Sequence, residues 1–312
     1  MRIFESLDTL GKIENAVVTT GSFDGVHFGH QALIRRLNKL ARSINGQSVL
    51  ITFYPHVRKV LYPDTAGKAL ELINSQSEKI ELLRRTGLQN LVIIRFTVEF
   101  AKTSAEDFVK NILFGKLGAK IIVVGYNHYF GHNREGNYEK LIAMGSELGF
   151  EVVEFPRQEL VDETIGSTRI RKSLKSGRIM HANAYLENIF FIYGRFAPGS
   201  RLYRDAGITT FSLAAEEDGK LLPPDGIYAI KAEIDEQQHK GIMLCNHHGT
   251  YVHPHLQQAI EIYLPEYEGD CPGKNGKVYV HKELDHPLRF EDPRQLYTQL
   301  RQTADFILEL IY

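Results

Sequence analysis

From residue 15 to about 156, short β-branched runs alternate with stretches whose apolar residues recur at helical spacing. The runs are NAVVTTG (15–21), SVLITFYP (48–55), NLVIIRF (90–96), KIIVVGY (120–126) and EVVEFP (151–156). Short and largely apolar, they predict strands buried on both faces, as in a parallel sheet. Between them, Leu33, Ile34, Leu37, Leu40 and Ala41 mark a helix that stops at Asn45-Gly46. Segments 77–85 and 104–117, each opened by a serine and closed near a glycine, mark two more. This alternation predicts a doubly wound α/β domain, whose ligands bind beyond the carboxyl ends of the strands. Gly21, Tyr54, Phe96 and Gly125 fall at such ends.

After Glu187 the texture changes to short strands with no helices between them: FFIYG (190–194), GIYAIKAEI (226–234), GIMLCN (241–246), AIEIYL (259–264) and GKVYVHK (276–282). Turn-rich joints, APGS, PPDG and EGDCPGKNG, separate several of them. Leu296, Leu300, Ala304, Ile307 and Ile311 close the chain at helical spacing. The expected architecture is a parallel-sheet domain over 1–186, then a small antiparallel β-barrel with a C-terminal helix over 187–312. The divide is expected in the helical stretch at 179–186 or just after it.

The length of 312 residues agrees with two domains. With 37 basic and 38 acidic residues the net charge is −1, so no global field recruits nucleic acid or an anionic membrane. The expected partners are therefore small molecules; a homo-oligomer is left open. Cys245 and Cys271 are the only cysteines, and the N-terminal stretch lacks the apolar core and basic flank of a signal peptide. No apolar run approaches the roughly 20 residues that span a bilayer. A soluble protein of a reducing, cytoplasmic compartment is expected.

Chemistry concentrates in GSFDGVHFGH (21–30), which joins the first long strand to the first helix. A strand, a glycine-rich turn and a helix N-terminus make an anion site, because the first-turn N–H groups are unsatisfied and the helix dipole favours negative charge there. His27 and His30, three apart, point the same way if both sit in the first turn, and can reach one phosphate. GYNHYFG (125–131) follows a second strand to the same rim. There the Asn127 amide can both donate and accept, and Arg134-Glu135-Gly136 is placed to cap a loop over the site. In GSTRIR (166–171), Ser167 or Thr168 is expected to cap a helix. Thr168 and Arg171 share a face, whereas Arg169 lies about 200° round from Arg171, which makes Arg171 the better phosphate ligand.

In order and spacing, GSFDGVHFGH, ITFYPH (51–56), GYNHYFG with its REG, and STRIR resemble the FMN adenylyltransferase module of prokaryotic bifunctional riboflavin kinase/FAD synthetases, over residues 15 to 187. HxGH is that module's nucleotidylyl-transfer signature. The resemblance implies a nucleotidyltransferase domain in which Gly21, Phe23, His27 and His30 bind ATP, with Ser22, Asp24 and Gly29 in the same turn. Asn127 contributes nearby, and Ser167, Thr168 and Arg171 hold the phosphates. His27, His30 and Arg171 are the implied catalytic groups. Asp24 either holds the turn or assists Mg²⁺. Two positions depart from the family pattern: Val57 replaces a proline, which is expected to alter a loop, and Gly166 replaces a serine, which removes a hydroxyl.

The implied reaction is attack of the FMN phosphate on the α-phosphorus of ATP, giving FAD and pyrophosphate. That phosphate is already anionic, so alignment and charge stabilisation matter more than a strong base. Protonated His27 and His30, a helix N-terminus, Arg171 and Mg²⁺ are expected to supply them. Enzymes that adenylate a phosphopantetheine or transfer CMP to an alcohol phosphate share the GxFDxxHxGH core, but seldom carry ITFYPH and STRIR together. A non-enzymatic flavin-binding regulator would need a dead first site, yet each core residue is present.

The β-rich half resembles the riboflavin kinase module of the same family, more weakly. Its Gly-Phe-Pro-Thr-Ala-Asn motif corresponds here to GITTFS (207–212). Thr210 survives as the implied Mg²⁺ and ATP ligand, while Thr209 replaces the proline and Ser212 the asparagine. Glu261 matches the glutamate that acts as base on the riboflavin hydroxyl. An expected arginine is not recognisable near Leu284-Asp285. Two readings follow: a working kinase with substitute ligands, or a degenerate one kept for flavin binding or oligomerisation. His247, His248, His253 and His255 match no common zinc spacing.

Overall fold

The computed structural model describes residues 1–125, 128–155, 166–205, 207–246, 259–269 and 271–285. The chain forms two compact units, Met1–Glu71 with Lys79–Ile165 and Leu72–Glu78 with Gly166–Tyr312.

In the first unit, β1 (Arg2–Phe4), β2 (Ala16–Thr20), β3 (Ser48–Tyr54), β4 (Asn90–Arg95), β5 (Ala119–Gly125) and β6 (Glu151–Phe155) form one sheet in the order β1-β4-β3-β2-β5-β6. Each pair is parallel. The helices are α1 (Phe28–Ser43), α2 (Val57–Leu61), α3 (Gln76–Arg85), α4 (Ala105–Asp107) and α5 (Tyr138–Leu148). Neighbours Val17 and Val18, Leu50 and Ile51, and Leu91 and Val92 are all fully buried, so both faces are covered, as their unbroken apolar runs predict. The chain moves from β2 through β3 to β4 on one side, then crosses to β5 on the other. The switch point therefore lies between the carboxyl ends of β2 and β5, where open α/β sheets bind ligands.

In this unit β1 and the helix over 104–117 differ from expectation, and in the second unit the strand Phe211–Ala215 and the short helix Arg201–Asp205 do. β1 is a three-residue edge strand, too short to leave a periodic signal. The helix over 104–117 is α-helical only for its first turn and π-helical over Phe108–Lys116, with the Leu117 N–H reaching back to the Ile112 carbonyl. The wider turn lets Phe108, Val109, Ile112 and Leu113 all point into the core.

The second unit is a closed antiparallel barrel of β7 (Phe191–Pro198), β8 (Phe211–Ala215), β9 (Gly226–Ile234), β10 (Gln237–Asn246), β11 (Ala259–Tyr263) and β12 (Asn275–Asp285), in the order β10-β11-β8-β7-β12-β9. Closure leaves no unpaired edge. Before it come α6 (Ser167–Lys175) and α7 (Ile179–Leu186); α8 (Arg201–Asp205) lies between β7 and β8. Ile170, Leu174, Ile179, Ala182 and Leu186 share one core cluster with Phe190, Ile192, Tyr228, Ile230, Met243, Ile262 and Val280 of the barrel. This packing explains why the compact units divide at 165/166, whereas the change of sequence texture lies at 186/187.

Leu72–Glu78 is tied into this unit by a buried ion pair: Lys220 Nζ lies 2.6 Å from Glu78 Oε2, with side-chain exposures of 1% and 0%. Lys220 also donates to the Ile73 and Phe191 carbonyls at 2.6 and 2.9 Å, and Glu78 accepts from the Ser75 and Tyr193 N–H groups. A buried pair satisfied on both sides is structural. Among the described residues no helix is long and apolar enough to cross a membrane. The helix expected at 293–311 and the histidines at 247, 248, 253 and 255 lie outside the described residues.

Candidate active sites

The first site is the turn from Gly21 to His27. Phe23 (φ 51°), Gly25 (φ 90°) and Val26 (φ 40°) all adopt left-handed backbone conformations. For a buried β-branched residue such as Val26 this is a strained state, worth about 1–3 kcal/mol, of the kind that clusters at ligand sites. The strain is held by packing, since Phe23, Asp24, Val26 and His27 are all buried. A Cβ at Gly21 would stand 3.0 Å from the Phe23 ring, so glycine there leaves room for the ring to fold back.

His27 is the N-cap of α1 and His30 the third helical residue, so the pair lies side by side as the spacing predicts. Their rings stack with centroids 3.7 Å apart, and Phe23 stacks on His30 at 4.5 Å. No side chain caps α1 and its first turn holds no acid, which leaves the first-turn amides of Phe28, Gly29 and His30 for an anion. The His30 Nδ1 is buried without a hydrogen-bond partner. Burial first, then His27 and Lys79, push His30 well below the usual histidine range. Burial, the His27 ring and Lys79 on α3 thus all oppose a charge on His30 in the ligand-free protein, so the expected protonation needs an anion to offset them.

Two groups around the turn escaped the sequence reading. Lys79 on α3 is only 8% exposed, and its Nζ donates to Thr52 Oγ1 at 3.3 Å and to the Ser22 carbonyl at 3.5 Å. Its signal was a lysine three and four residues before the buried Leu82 and Leu83, on the apolar face of its helix. His128 Nε2 is hydrogen-bonded to Thr20 Oγ1 at 3.3 Å, joining the ends of β2 and β5, and burial pushes its pKa down. Asn127 lies outside the described residues.

The other segments have local tasks. Arg134 covers the Tyr129 ring at 4.6 Å, Glu135 Oε1 accepts from the Ala105 N–H, and Phe130 bridges to Gly136, so REG folds its own loop and caps α4. Val57 opens α2 behind His56, whose Nδ1 accepts from the Arg58 N–H. Proline is favoured at that first helical position because its missing N–H is not needed there, so valine in its place leaves the helix start intact rather than altering a loop.

On α6 the N-cap is Gly166, not Ser167 or Thr168, which are the first two helical residues. Glycine serves there at a loss of only a few tenths of a kcal/mol against serine. Arg169 is exposed and lies over the Tyr185 ring at 5.0 Å, while Arg171 is half-buried, so the two arginines do diverge. Ser167, Thr168 and Arg171 belong to the second unit and the histidine turn to the first.

In the barrel, Ile260 and Ile262 belong to the interior cluster, so Glu261 between them faces outward, yet it is only 5% exposed. Its Oε1 accepts from the Ser200 N–H at 2.9 Å. Its Oε2, Ser200 Oγ and Thr210 Oγ1 are buried without hydrogen-bond partners. Burial pushes the Glu261 carboxyl above its usual range, and nearby Thr210 and Ser200 pull it part of the way back. Gly199 makes this approach possible, since a Cβ there would stand 2.1 Å from Thr210 Oγ1. Thr210 and Glu261 are thus brought together as expected, joined by Ser200, which the sequence reading passed over as a turn residue. Ser212 pairs with Glu261 across β8 and β11, but its hydroxyl donates to the Pro198 carbonyl at 3.2 Å, and Thr209 is exposed.

Residues 11–169 match the FAD synthetase family and residues 186–311 the riboflavin kinase family. A protein of Buchnera aphidicola subsp. Schizaphis graminum described as a bifunctional riboflavin kinase/FMN adenylyltransferase is 29% identical over 311 residues, covering 98% of this chain and 98% of its own. One from Escherichia coli K12 with the same description is 27% identical over 303 residues, covering 96% and 95%. A crystal structure described as a macrolide-efflux protein from Streptococcus pneumoniae matches with a TM-score of 0.85 at 26% identity, covering 100% of this chain and 99% of its own.

Proposed function

The chain belongs to the FAD synthetase family, and on that premise we propose that it transfers the adenylyl group of ATP to FMN, giving FAD and pyrophosphate, and phosphorylates riboflavin to FMN in its barrel. The observation that carries the first activity is the strained turn with stacked His27 and His30 over uncapped α1 amides. An FMN phosphate oxygen bonds to the α-phosphorus as the bond to the bridging oxygen breaks, and pyrophosphate leaves with that electron pair. The α1 amides and the His30 N–H donate to the oxygens on which charge grows. Arriving negative charge favours protonation of His30, so the histidine that is neutral without ligand gains cationic character with the triphosphate in place. Gly21, Ser22, Phe23, Asp24 and Gly29 shape the turn. Asn127, Ser167, Thr168 and Arg171 are assigned to nucleotide and phosphates by the order of their motifs.

For the second activity, Glu261 takes the proton of the riboflavin hydroxyl as the hydroxyl oxygen bonds to the γ-phosphorus of ATP, the bond to the β–γ bridging oxygen breaks, and ADP leaves with that electron pair. Buried Thr210 Oγ1, which has no hydrogen-bond partner, is a hard oxygen donor that fits a divalent cation, with Ser200 Oγ beside it, while Glu261 Oε2 is left open to accept the proton. A Mg²⁺ ion held at Thr210 would supply neutralisation of phosphate charge. This intact trio favours a working kinase over a degenerate one, despite Ser212. The change of sequence texture supports a functional divide at 186/187. Cys245 and Cys271 are buried thiols not joined in a disulfide, which agrees with a reducing cytoplasm.

The test is a two-substrate assay of the purified chain with ATP and Mg²⁺. FMN should yield FAD and pyrophosphate, and riboflavin should yield FMN and ADP. FAD from FMN without turnover of riboflavin would establish the degenerate barrel. Pyrophosphate release with phosphopantetheine but not with FMN would overturn the first assignment.

A further inference from the structure

A buried ammonium costs free energy unless its surroundings return it. Lys79 is such a group: 8% exposed, with its Nζ 3.3 Å from Thr52 Oγ1 and 3.5 Å from the Ser22 carbonyl. Thr52 Oγ1 itself donates to that carbonyl at 3.2 Å, so β3 and α3 grip one oxygen of the turn from two sides. The gripped residue immediately precedes Phe23, the left-handed residue that stacks on His30.

We propose that Lys79 is a positioning residue of the adenylyl-transfer site: its ammonium anchors the Ser22 carbonyl and supplies a fixed positive charge behind His27 and His30 that the triphosphate meets. The role rests on the adenylyl-transfer reading. His30 faces Phe23 and His27 from the turn and feels Lys79 from α3, with Asp24 the carboxylate of the same turn. Lys79 is one of the groups that hold His30 deprotonated. The division of labour follows: Lys79 holds its charge at the Ser22 carbonyl, and the neutral His30 donor can take a proton when phosphate arrives.

The test compares Lys79→Met, Lys79→Gln and Lys79→Arg in the full chain. Histidine resonances are titrated without ligand, and FMN-dependent pyrophosphate release is measured in parallel. Met and Gln should both raise the His30 pKa, and kcat/KM for ATP should fall about tenfold. Arg should restore both toward wild type. Gln retains a donor for the Ser22 carbonyl, so it separates anchor from charge and covers the case in which Met fails to fold. A His30 titration unchanged in folded Lys79→Gln would overturn the proposal, because a purely structural lysine affects stability without moving that titration. Failure of the wild-type chain to use FMN would remove the adenylyl-transfer reading instead, leaving the titration to decide the electrostatic link by itself.

Discussion

The turn after β2 and the outward face of β11 solve opposite problems. In the turn, backbone strain at Phe23 and Val26 is held in place by packing, and the ionisable ring that matters, His30, is kept neutral. On β11, Glu261 Oε2, Ser200 Oγ and Thr210 Oγ1 are buried without partners, a polar deficit. The first arrangement is prepared for a ligand that brings its own charge, the second for one that completes a coordination shell. A site that only stabilises charge can use neutral donors; a site that must remove a proton from a hydroxyl needs a base with a raised pKa. The sharpest way to break this contrast is Glu261→Gln. Loss of the base should lower riboflavin phosphorylation about a thousandfold and leave FAD formation from supplied FMN within about twofold of wild type, both read in the two-substrate assay. Equal loss of both activities would mean that the two sites are not independent.

His30→Ala is the matching change in the turn. It removes one donor at a developing charge, so FMN adenylylation should fall about a hundredfold, roughly 3 kcal/mol, while riboflavin phosphorylation persists. The smaller effect follows from redundancy, because His27 and the α1 amides remain. Full FMN-dependent pyrophosphate release by His30→Ala would remove the histidine from the chemistry.

What could be read beforehand follows the same divide. The turn was legible because strand, glycines, histidines and helix are contiguous, so its geometry is local. Lys79 was not, because its partners Ser22 and Thr52 come from other elements and a lysine in an amphipathic helix reads as solvated. Ser200 hid in a turn for the same reason, and β8 merged with the motif that precedes it. The α6 cap, expected at Ser167 or Thr168, was misplaced by one or two residues because hydroxyl side chains were preferred to a glycine that serves nearly as well. The divide at 165/166 depends on Ile170, Leu174 and Ile179 packing with the barrel, which periodicity cannot assign to a partner.

The smallest expected effect tests the contrast without catalysis. His30 has a folded pKa below its reference of 6.5, so its contribution to stability is complete above pH 6.5 and is lost as the pH falls and the unfolded chain takes up the proton first. Glu261 has a folded pKa above its reference of 4.5, so its contribution is complete below pH 4.5 and is lost as the pH rises through the folded value, when a buried charge must form. The two groups therefore weaken their units at opposite ends of the range. At pH 7, Glu261→Gln should increase hydrogen-exchange protection of β11 peptides, by on the order of fivefold for about 1 kcal/mol, and the gain should vanish toward pH 4. His30→Gln should increase protection of the β2–α1 peptides at pH 5 and leave them unchanged at pH 7.5, by less than the Glu261 change because His30 is only half-buried. Gains for both variants at the same pH would show that one of the two groups carries the opposite charge state from the one its surroundings impose.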